Sequence, residues 1–148
     1  MNAELGASRT EPGARYEVIA IGWVRSPLTD RSQAPRQGDE GAPAAWLDFE
    51  PQVTEGLRDL RVGEKIIVLT WLDRSRRDEL STYPRDDRSR GLVGVFSTRS
   101  PDRPNPVGLH RVEILEIAGT RILVSNLEAL DRTPIIDVKP VLDPVTER

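Results

Sequence analysis

The stretch "GLHRVEILEIAGTRILVSNLEAL", from Gly108 to Leu130, decides which fold the chain is expected to adopt. Two runs rich in β-branched and apolar residues flank the pair Gly119-Thr120, a sequence typical of a tight hairpin turn. In the first run Val112, Ile114 and Ile117 can face a core. The stretch therefore predicts two antiparallel strands joined by a short turn.

Other segments extend this pattern into a sheet. "EKIIVLTWL", Glu64 to Leu72, is the most apolar run and predicts a central buried strand. Further strands are predicted for Tyr16 to Val24, "AWLDFE", "GLVGVFSTRS" and "TPIIDVKPVL", and a short helix for "PQVTEGLRDLRVG", with Pro51 at its start. The sequence thus predicts a mostly β protein, a small antiparallel β-barrel of about six to seven strands with one short helix and long loops. Residues 1–15 are expected to form a flexible leader before a single domain, 16–148.

Composition excludes several classes of function. The 148 residues carry a formal net charge of −3, which argues against gripping nucleic acid by bulk electrostatics. With no cysteine and one histidine, a zinc-thiolate or His-rich metal site is excluded, and no metal is expected. No run approaches the roughly 20 apolar residues that span a bilayer. We therefore expect a cytoplasmic protein without a membrane segment.

Three loops combine arginine with proline or acidic residues: "APRQ" (34–37), "DRSRR" (73–77) and "STRSPDRPNP" (97–106). An arginine fork can hold a carboxylate, and flanking prolines lower the entropic cost of ordering such a loop. The alternative is that these arginines are solvated and paired with nearby aspartates. We favour pairing for the segment that begins at Asp73. Ligand binding is favoured for the proline-rich turn, because solvation does not explain its Pro-Asn-Pro sequence.

Candidate acid and base groups lie close to predicted strand ends. Glu128, Asp131 and Asp137 can act as proton acceptors, although acidic residues at such positions also make turns and ion pairs. His110 is a further candidate, because histidine is the side chain best suited to proton transfer near neutral pH, and a structural role is its alternative. The chain contains neither a Walker loop nor a Gly-x-Ser-x-Gly elbow.

Four segments of the sequence together resemble a known protein family. "GVFSTRSPDRPNPVGLHRVEIL", "LEALDRTPIIDVKP", the opening "IGWVRSP" and the "PRQ" after it together resemble the TsaA-like (YaeB-like, TrmO-type) methyltransferases. The resemblance runs from about Val18 to Pro140, and the chain is similar to a short, barrel-only member. It implies a small β-barrel that binds S-adenosylmethionine and usually acts as a homodimer.

The resemblance also implies a function and a set of site residues. Such enzymes methylate the exocyclic nitrogen of threonylcarbamoyl-adenosine in tRNA, and here the acceptor is tRNA or a small molecule. Asp131 or His110 are the candidate catalytic bases, and Arg99 or Arg36 the candidates for the cofactor carboxylate. Carried over by position, the cofactor contacts are Pro35, Arg36, Gln37, Asp73, Arg74, Arg99, Leu109, Ser125, Asn126, Leu127 and Glu128.

Two departures keep a second hypothesis open. Many family members have His-Gln or His-Arg in place of Asp73-Arg74, and many have glycine in place of Arg132. The first departure changes charge at a cofactor contact, and the second places a large cation where the backbone was freest. The alternative to an enzyme is a non-catalytic module that binds S-adenosylmethionine or a partner.

Overall fold

The computed structural model describes residues 11–142, which form eight β-strands and five short 3₁₀ helices. No helix within these residues has the length and apolar character needed to cross a bilayer. The strands are β1 (Gly22–Arg25), β2 (Ala45–Phe49), β3 (Lys65–Trp71), β4 (Ser81–Thr82), β5 (Val93–Gly94), β6 (Val107–Ala118), β7 (Arg121–Val124) and β8 (Pro134–Pro140). The 3₁₀ helices are Gly38–Glu40, Pro51–Leu57, Pro84–Asp86, Arg88–Arg90 and Val95–Ser97.

Six antiparallel strands form a closed ring in the order β1-β2-β7-β6-β3-β8. The ring closes where β1 pairs with β8, with Gly22 opposite Ile135 and Trp23 opposite Pro134. Strand β6 is long enough to pair with β3 along its first half and with β7 beyond Ile114. The pairing of β6 with β7 contains a register shift between Ile114 and Glu116. Closure leaves no free edge in the ring, which removes a route to aggregation.

Strand direction alternates around the ring, so every second connection emerges at the same end. Strands β1, β3 and β7 finish there, and β2, β6 and β8 begin there. The connections at this end are 26–44, 72–106 and 125–133, and we call it the loop end. The opposite end holds the β6–β7 turn and the connection 50–64, which contains the helix Pro51–Leu57.

The inward-facing side chains of the ring form one hydrophobic core. Along β3 and β6 the buried positions alternate with exposed or half-buried ones, as expected for strands with one buried face. Val53, Leu57 and Leu60 pack against the core from the helical connection. The buried members of the core are Val24, Ala45, Leu47, Phe49, Ile66, Val68, Val112, Ile114, Ile122, Val124, Leu127, Ala129 and Ile135.

The predicted architecture is confirmed in its main features. A closed antiparallel ring of six strands, a short 3₁₀ helix that begins at Pro51 and the turn at Gly119-Thr120 are all present, and Ala118 pairs with Arg121 across that turn. Val112 and Ile114 face the core as expected, whereas Ile117 is 38% exposed because it follows the register shift in β6. The predicted leader 1–15 lies outside the described residues for its first ten positions.

Two predicted strands were too long. The strand predicted for Tyr16 to Val24 begins only at Gly22, because Tyr16 and Ile19 are 76% and 80% exposed and lack the packing that would hold them in a sheet. In "GLVGVFSTRS" only Val93–Gly94 is a strand, and the chain then turns into the 3₁₀ helix Val95–Ser97. Alternating apolar residues thus predicted strand in segments that have no partner strand.

The backbone at Arg132 has φ +68°, the left-handed region in which glycine is unstrained. Its amide donates to the Val24 carbonyl at 2.6 Å, so the turn that connects to β8 requires this conformation. The guanidinium is 87% exposed and lies 3.9 Å from the Asp131 carboxylate, a geometry that contributes little to stability.

We expect Arg132→Gly to leave the free energy of unfolding unchanged or to raise it by up to about 1 kcal/mol, because relief of left-handed strain offsets the entropy of glycine in the unfolded chain. Arg111→Gly is the control, since Arg111 is exposed in extended β6, and it should cost about 0.5–1 kcal/mol. Urea denaturation measures both variants. An equal loss in the two would contradict the strain interpretation.

Candidate functional site

The three connections at the loop end carry nearly all of the predicted site residues. Because alternate connections of an antiparallel ring meet at one end, residues far apart in sequence are brought together. The connection 26–44 supplies Pro35, Arg36 and Gln37; 72–106 supplies Asp73, Arg74 and Arg99; 125–133 supplies Ser125, Asn126, Leu127, Glu128 and Asp131. Leu109 and His110 lie near the start of β6, at the same end.

Arg74 joins all three connections. Its guanidinium donates to the carbonyl of Thr29 and to the carbonyl of Asp131, each at 3.0 Å. The connections 26–44 and 125–133 are also joined directly, because the Ser26 amide donates to Asp131 Oδ1 at 3.0 Å and the Asp131 amide to the Leu28 carbonyl at 2.7 Å. The planar fork of arginine suits this bridge, since one side chain satisfies two carbonyls.

The segment that contains "PRQ" lies directly on the segment 125–128. A Cβ added to Gly38 would lie 2.1 Å from the Asn126 carbonyl oxygen and 3.1 Å from Glu128 Oε2. This approach is possible only without a side chain at position 38. Asn126 itself has φ +47°, a conformation that asparagine tolerates better than most residues.

Ser125 to Glu128 run beside β6 past the end of β7. Ser125 exchanges two hydrogen bonds with Glu113: its amide donates to the Glu113 carbonyl and its hydroxyl accepts from the Glu113 amide, both at 3.0 Å. Three residues later, Glu128 Oε1 lies 2.6 Å from His110 Nδ1. His110 Nε2 lies 2.7 Å from the hydroxyl of Thr70 on β3. The predicted residues His110 and Glu128 are therefore in direct contact, whereas Thr70 was not predicted.

Two exposed ion pairs join the connection 26–44 to the connection 72–106. Arg36 binds Asp86 at 2.5 Å, and Arg85 binds Glu40 at 2.7 Å. The Arg85 guanidinium holds the pKa of the Glu40 carboxyl below its usual range. The expected pairing of arginine with aspartate in the segment that begins at Asp73 holds for Arg76 with Asp78 at 3.0 Å and for Arg90 with Asp87 at 3.6 Å, whereas Arg74 and Arg77 bind backbone carbonyls. Such exposed pairs add little stability singly.

Two arginines that the sequence did not distinguish hold the proline-rich turn in place. Arg103 donates to the carbonyl of Thr98 at 2.8 Å and to that of Val95. Arg77 donates to the Pro104 carbonyl at 2.6 Å and to Asn105 Oδ1 at 2.9 Å. These bonds engage Nη2 of Arg103 and both Nε and Nη2 of Arg77, whereas the buried Arg103 Nε has no hydrogen-bond partner among residues 11–142. Only their proximity to Pro-Asn-Pro in the sequence could have suggested this structural role.

Arg99 differs from its neighbours in the same turn. It is exposed, and among residues 11–142 its guanidinium has no hydrogen-bond or salt-bridge partner. It follows the Thr98 carbonyl, which Arg103 fixes, so its backbone is anchored while its charge is available. An anchored arginine with an uncommitted fork is suited to binding a carboxylate or phosphate.

Four further predicted residues have mixed placements. Leu109 is 45% exposed and lies on the outer face of β6, opposite His110. Leu127 is fully buried in the core, and its amide donates to the Pro43 carbonyl at 3.0 Å. Asp73 is exposed, with no side-chain partner among the residues described, and the half-exposed Asp131 keeps one oxygen, Oδ2, clear of strong hydrogen bonds. Leu127 thus contributes packing, whereas the two aspartates can contact a ligand.

Both the sequence and the fold of this chain are similar to those of known proteins. A family model described as "tRNA-methyltransferase O N-terminal domain" matches residues 23–145, which is most of the chain. The chain belongs to this family. A solved TrmO from Pseudomonas aeruginosa is similar to it with a TM-score of 0.69 and 27% identity, over 91% of this chain and 61% of that chain.

Curated members of the family in Archaeoglobus fulgidus are also similar. One, named an S-adenosyl-L-methionine-binding protein, is 41% identical over 130 residues, which cover 86% of this chain and 92% of that protein. A second, named a probable S-adenosyl-L-methionine-binding protein, is 43% identical over 120 residues, 81% of this chain. The matched region spans only 32% of that second relative. The chain thus corresponds to a whole relative in one case and to a part in the other.

For this family member we expect Gly38→Ala to lower the free energy of unfolding by about 1–3 kcal/mol, because the new methyl group would overlap a backbone carbonyl. Gly56→Ala is the matched control: nothing lies within 4 Å of its added Cβ, and its effect should stay within about 0.5 kcal/mol. Urea denaturation of both variants tests the contact. If Gly38→Ala is as stable as Gly56→Ala, the loop 35–38 does not pack on Asn126 as described.

Proposed function

We propose that this protein is an S-adenosylmethionine-dependent methyltransferase whose site is the loop end of the ring. The observation that carries the proposal is the convergence of the three loops there, cross-linked by Arg74 and with Arg99 left uncommitted. Family membership supports it, as do the names of the Archaeoglobus relatives. The acceptor is tRNA or a small molecule, and the protein acts in the cytoplasm as a homodimer.

The residues at this end fit the chemical groups of the cofactor. Its carboxylate needs a bidentate cation, for which Arg99 is proposed, because Arg36 is already paired with Asp86. Its hydroxyl and amino groups need acceptors. Glu128 Oε2 has no hydrogen-bond partner among residues 11–142 and lies beside Gly38, at the contact between loop 35–38 and segment 125–128. Ser125 and Asn126 border the same place.

When bound, the cofactor supplies an electrophilic methyl group on a sulfonium. The chain must hold the acceptor in line and accept its proton, and positioning of this kind accounts for much of the rate enhancement. Asp131 is proposed as the proton acceptor through Oδ2. Its Oδ1 is occupied by the Ser26 amide, which fixes the carboxylate, and Arg74 fixes the backbone behind it.

A second candidate function is binding without catalysis. The names of the Archaeoglobus relatives mention only binding of S-adenosyl-L-methionine, and this chain carries the Asp73 and Arg132 departures. In this case the protein would sense the cofactor or present it to a partner. The two functions share a ligand and differ in turnover.

We expect isothermal titration calorimetry to detect S-adenosylmethionine binding to the wild-type protein. Arg99→Ala should weaken it by about tenfold or more, the effect of losing a charged hydrogen bond. Arg58→Ala is the control, because Arg58 is exposed and follows the helix at the opposite end of the ring. Absence of binding to the wild type would remove the proposal, and equal losses in the two variants would remove the role of Arg99.

Turnover separates the two functions. Incubation with S-adenosylmethionine and total cellular tRNA should yield S-adenosylhomocysteine, and Asp131→Asn should slow this by about 10²-fold or more while affinity stays within a few fold. Mass spectrometry of tRNA nucleosides from cells with and without the gene identifies the acceptor. An unchanged level of methylated threonylcarbamoyl-adenosine excludes tRNA methylation at that position and favours a small acceptor or a binding function.

A further inference from the structure

A chain of three polar side chains crosses the inside of the ring at the loop end. His110 is 4% exposed and bonds on one side to Glu128 Oε1 at 2.6 Å and on the other to Thr70 Oγ1 at 2.7 Å. Thr70 is fully buried, and the Glu128 side chain is 17% exposed. This hydrogen-bonded series thus runs from Thr70 in the core to Glu128, the member of the three that reaches the surface.

The contacts constrain the protons of this network. A carboxylate only accepts, so the short contact with Glu128 assigns a proton to His110 Nδ1. The Thr70 hydroxyl has no other hydrogen-bond partner within the described residues, and donation to Nε2 is the arrangement that satisfies its buried O–H. This favours the Nδ1–H tautomer of His110, with both nitrogens engaged inside the protein.

Gly108 reserves space for this network. A Cβ at that position would lie 2.4 Å from Thr70 Oγ1 and 2.7 Å from His110 Nε2. Burying a histidine and a carboxylate costs free energy that apolar side chains would not cost, and a core needs no such chain for packing. The cost is consistent with a function for its exposed end.

We propose that His110 is a positioning residue: with Thr70 behind it, it holds the Glu128 carboxylate so that Oε2 faces Gly38 and accepts a hydrogen bond from a hydroxyl or ammonium group of the ligand. This inference rests on the proposed function, because the ligand is the cofactor bound there. His110 touches neither donor nor acceptor. Its burial and its two engaged nitrogens leave no lone pair for a substrate proton.

The single histidine of the chain makes the arrangement measurable. A long-range ¹⁵N–¹H correlation spectrum of the imidazole contains one set of signals, and in the ligand-free wild-type protein it should show the neutral Nδ1–H tautomer. Addition of S-adenosylmethionine should shift the Nδ1 signal, since Glu128 gains a second partner. A ring that is protonated or in the Nε2–H tautomer overturns the inference.

Binding of S-adenosylmethionine by three single variants and one double variant provides the second test. His110→Leu and Glu128→Gln should each weaken it by about tenfold, and the double variant by no more than either alone, because both remove one contact. His110→Asn, whose amide can replace the Nδ1–H donor, should recover part of the loss. Thermal unfolding identifies a variant that fails to fold, and the wild-type spectrum then decides.

The outcomes distinguish the two proposals. Wild-type protein that does not bind S-adenosylmethionine removes the proposed function. If the wild-type protein binds S-adenosylmethionine and both His110→Leu and Glu128→Gln bind it as tightly as the wild type, only the positioning role of His110 is overturned. Losses in His110→Leu that His110→Asn does not recover, accompanied by a general drop in stability, indicate a purely structural histidine.

Discussion

The alternation of strand direction in a closed ring of six strands is the constraint on which the site depends. A ring with an even number of strands can be antiparallel throughout, and its connections then divide between two ends. Here the 19-, 35- and 9-residue connections 26–44, 72–106 and 125–133 all fall at one end. The core fixes where they leave the ring, so loops with little regular structure still meet in a defined place. Function concentrated in loops on a rigid scaffold follows the same logic as in other folds.

Arginine is the main means by which these loops hold one another. Arg74 donates to backbone carbonyls of both other connections, and Arg36 and Arg85 form ion pairs between 26–44 and 72–106. Arg77 and Arg103 donate to carbonyls within 72–106, groups that a strand would pair in a sheet. Prolines contribute by limiting the conformations of the turn before it is bound. The combination gives order to segments that have little apolar area of their own.

The sequence predicted those elements that are determined by residues close together along the chain. The hairpin at Gly119, the helix at Pro51 and the alternation of β3 follow from neighbouring residues, and all are present. The contact between His110 and Thr70 depends on the register of β3 against β6, which no local signal specifies. Likewise no sequence signal distinguishes Arg99 from Arg103 in the proline-rich turn. The backbone conformation of the turn determines that Arg103 binds the Thr98 carbonyl and Arg99 does not. The sequence therefore predicted where the loops lie along the chain, whereas the contacts of their side chains could be seen only in the folded structure.

The commitment of arginines to protein oxygens has a consequence for ionic strength. An anionic partner that binds through free cations displaces counterions, and its affinity falls steeply as salt is added. At the loop end, Arg31 is paired with Asp102, Arg36 with Asp86 and Arg85 with Glu40, and these pairs carry no net charge. Arg74 and Arg77 keep their charge, because the carbonyl oxygens that they bind are neutral, but those donors are already engaged. Contact with a small anion at this end therefore rests on the geometry of one or two forks, and its affinity should fall only moderately as salt is added.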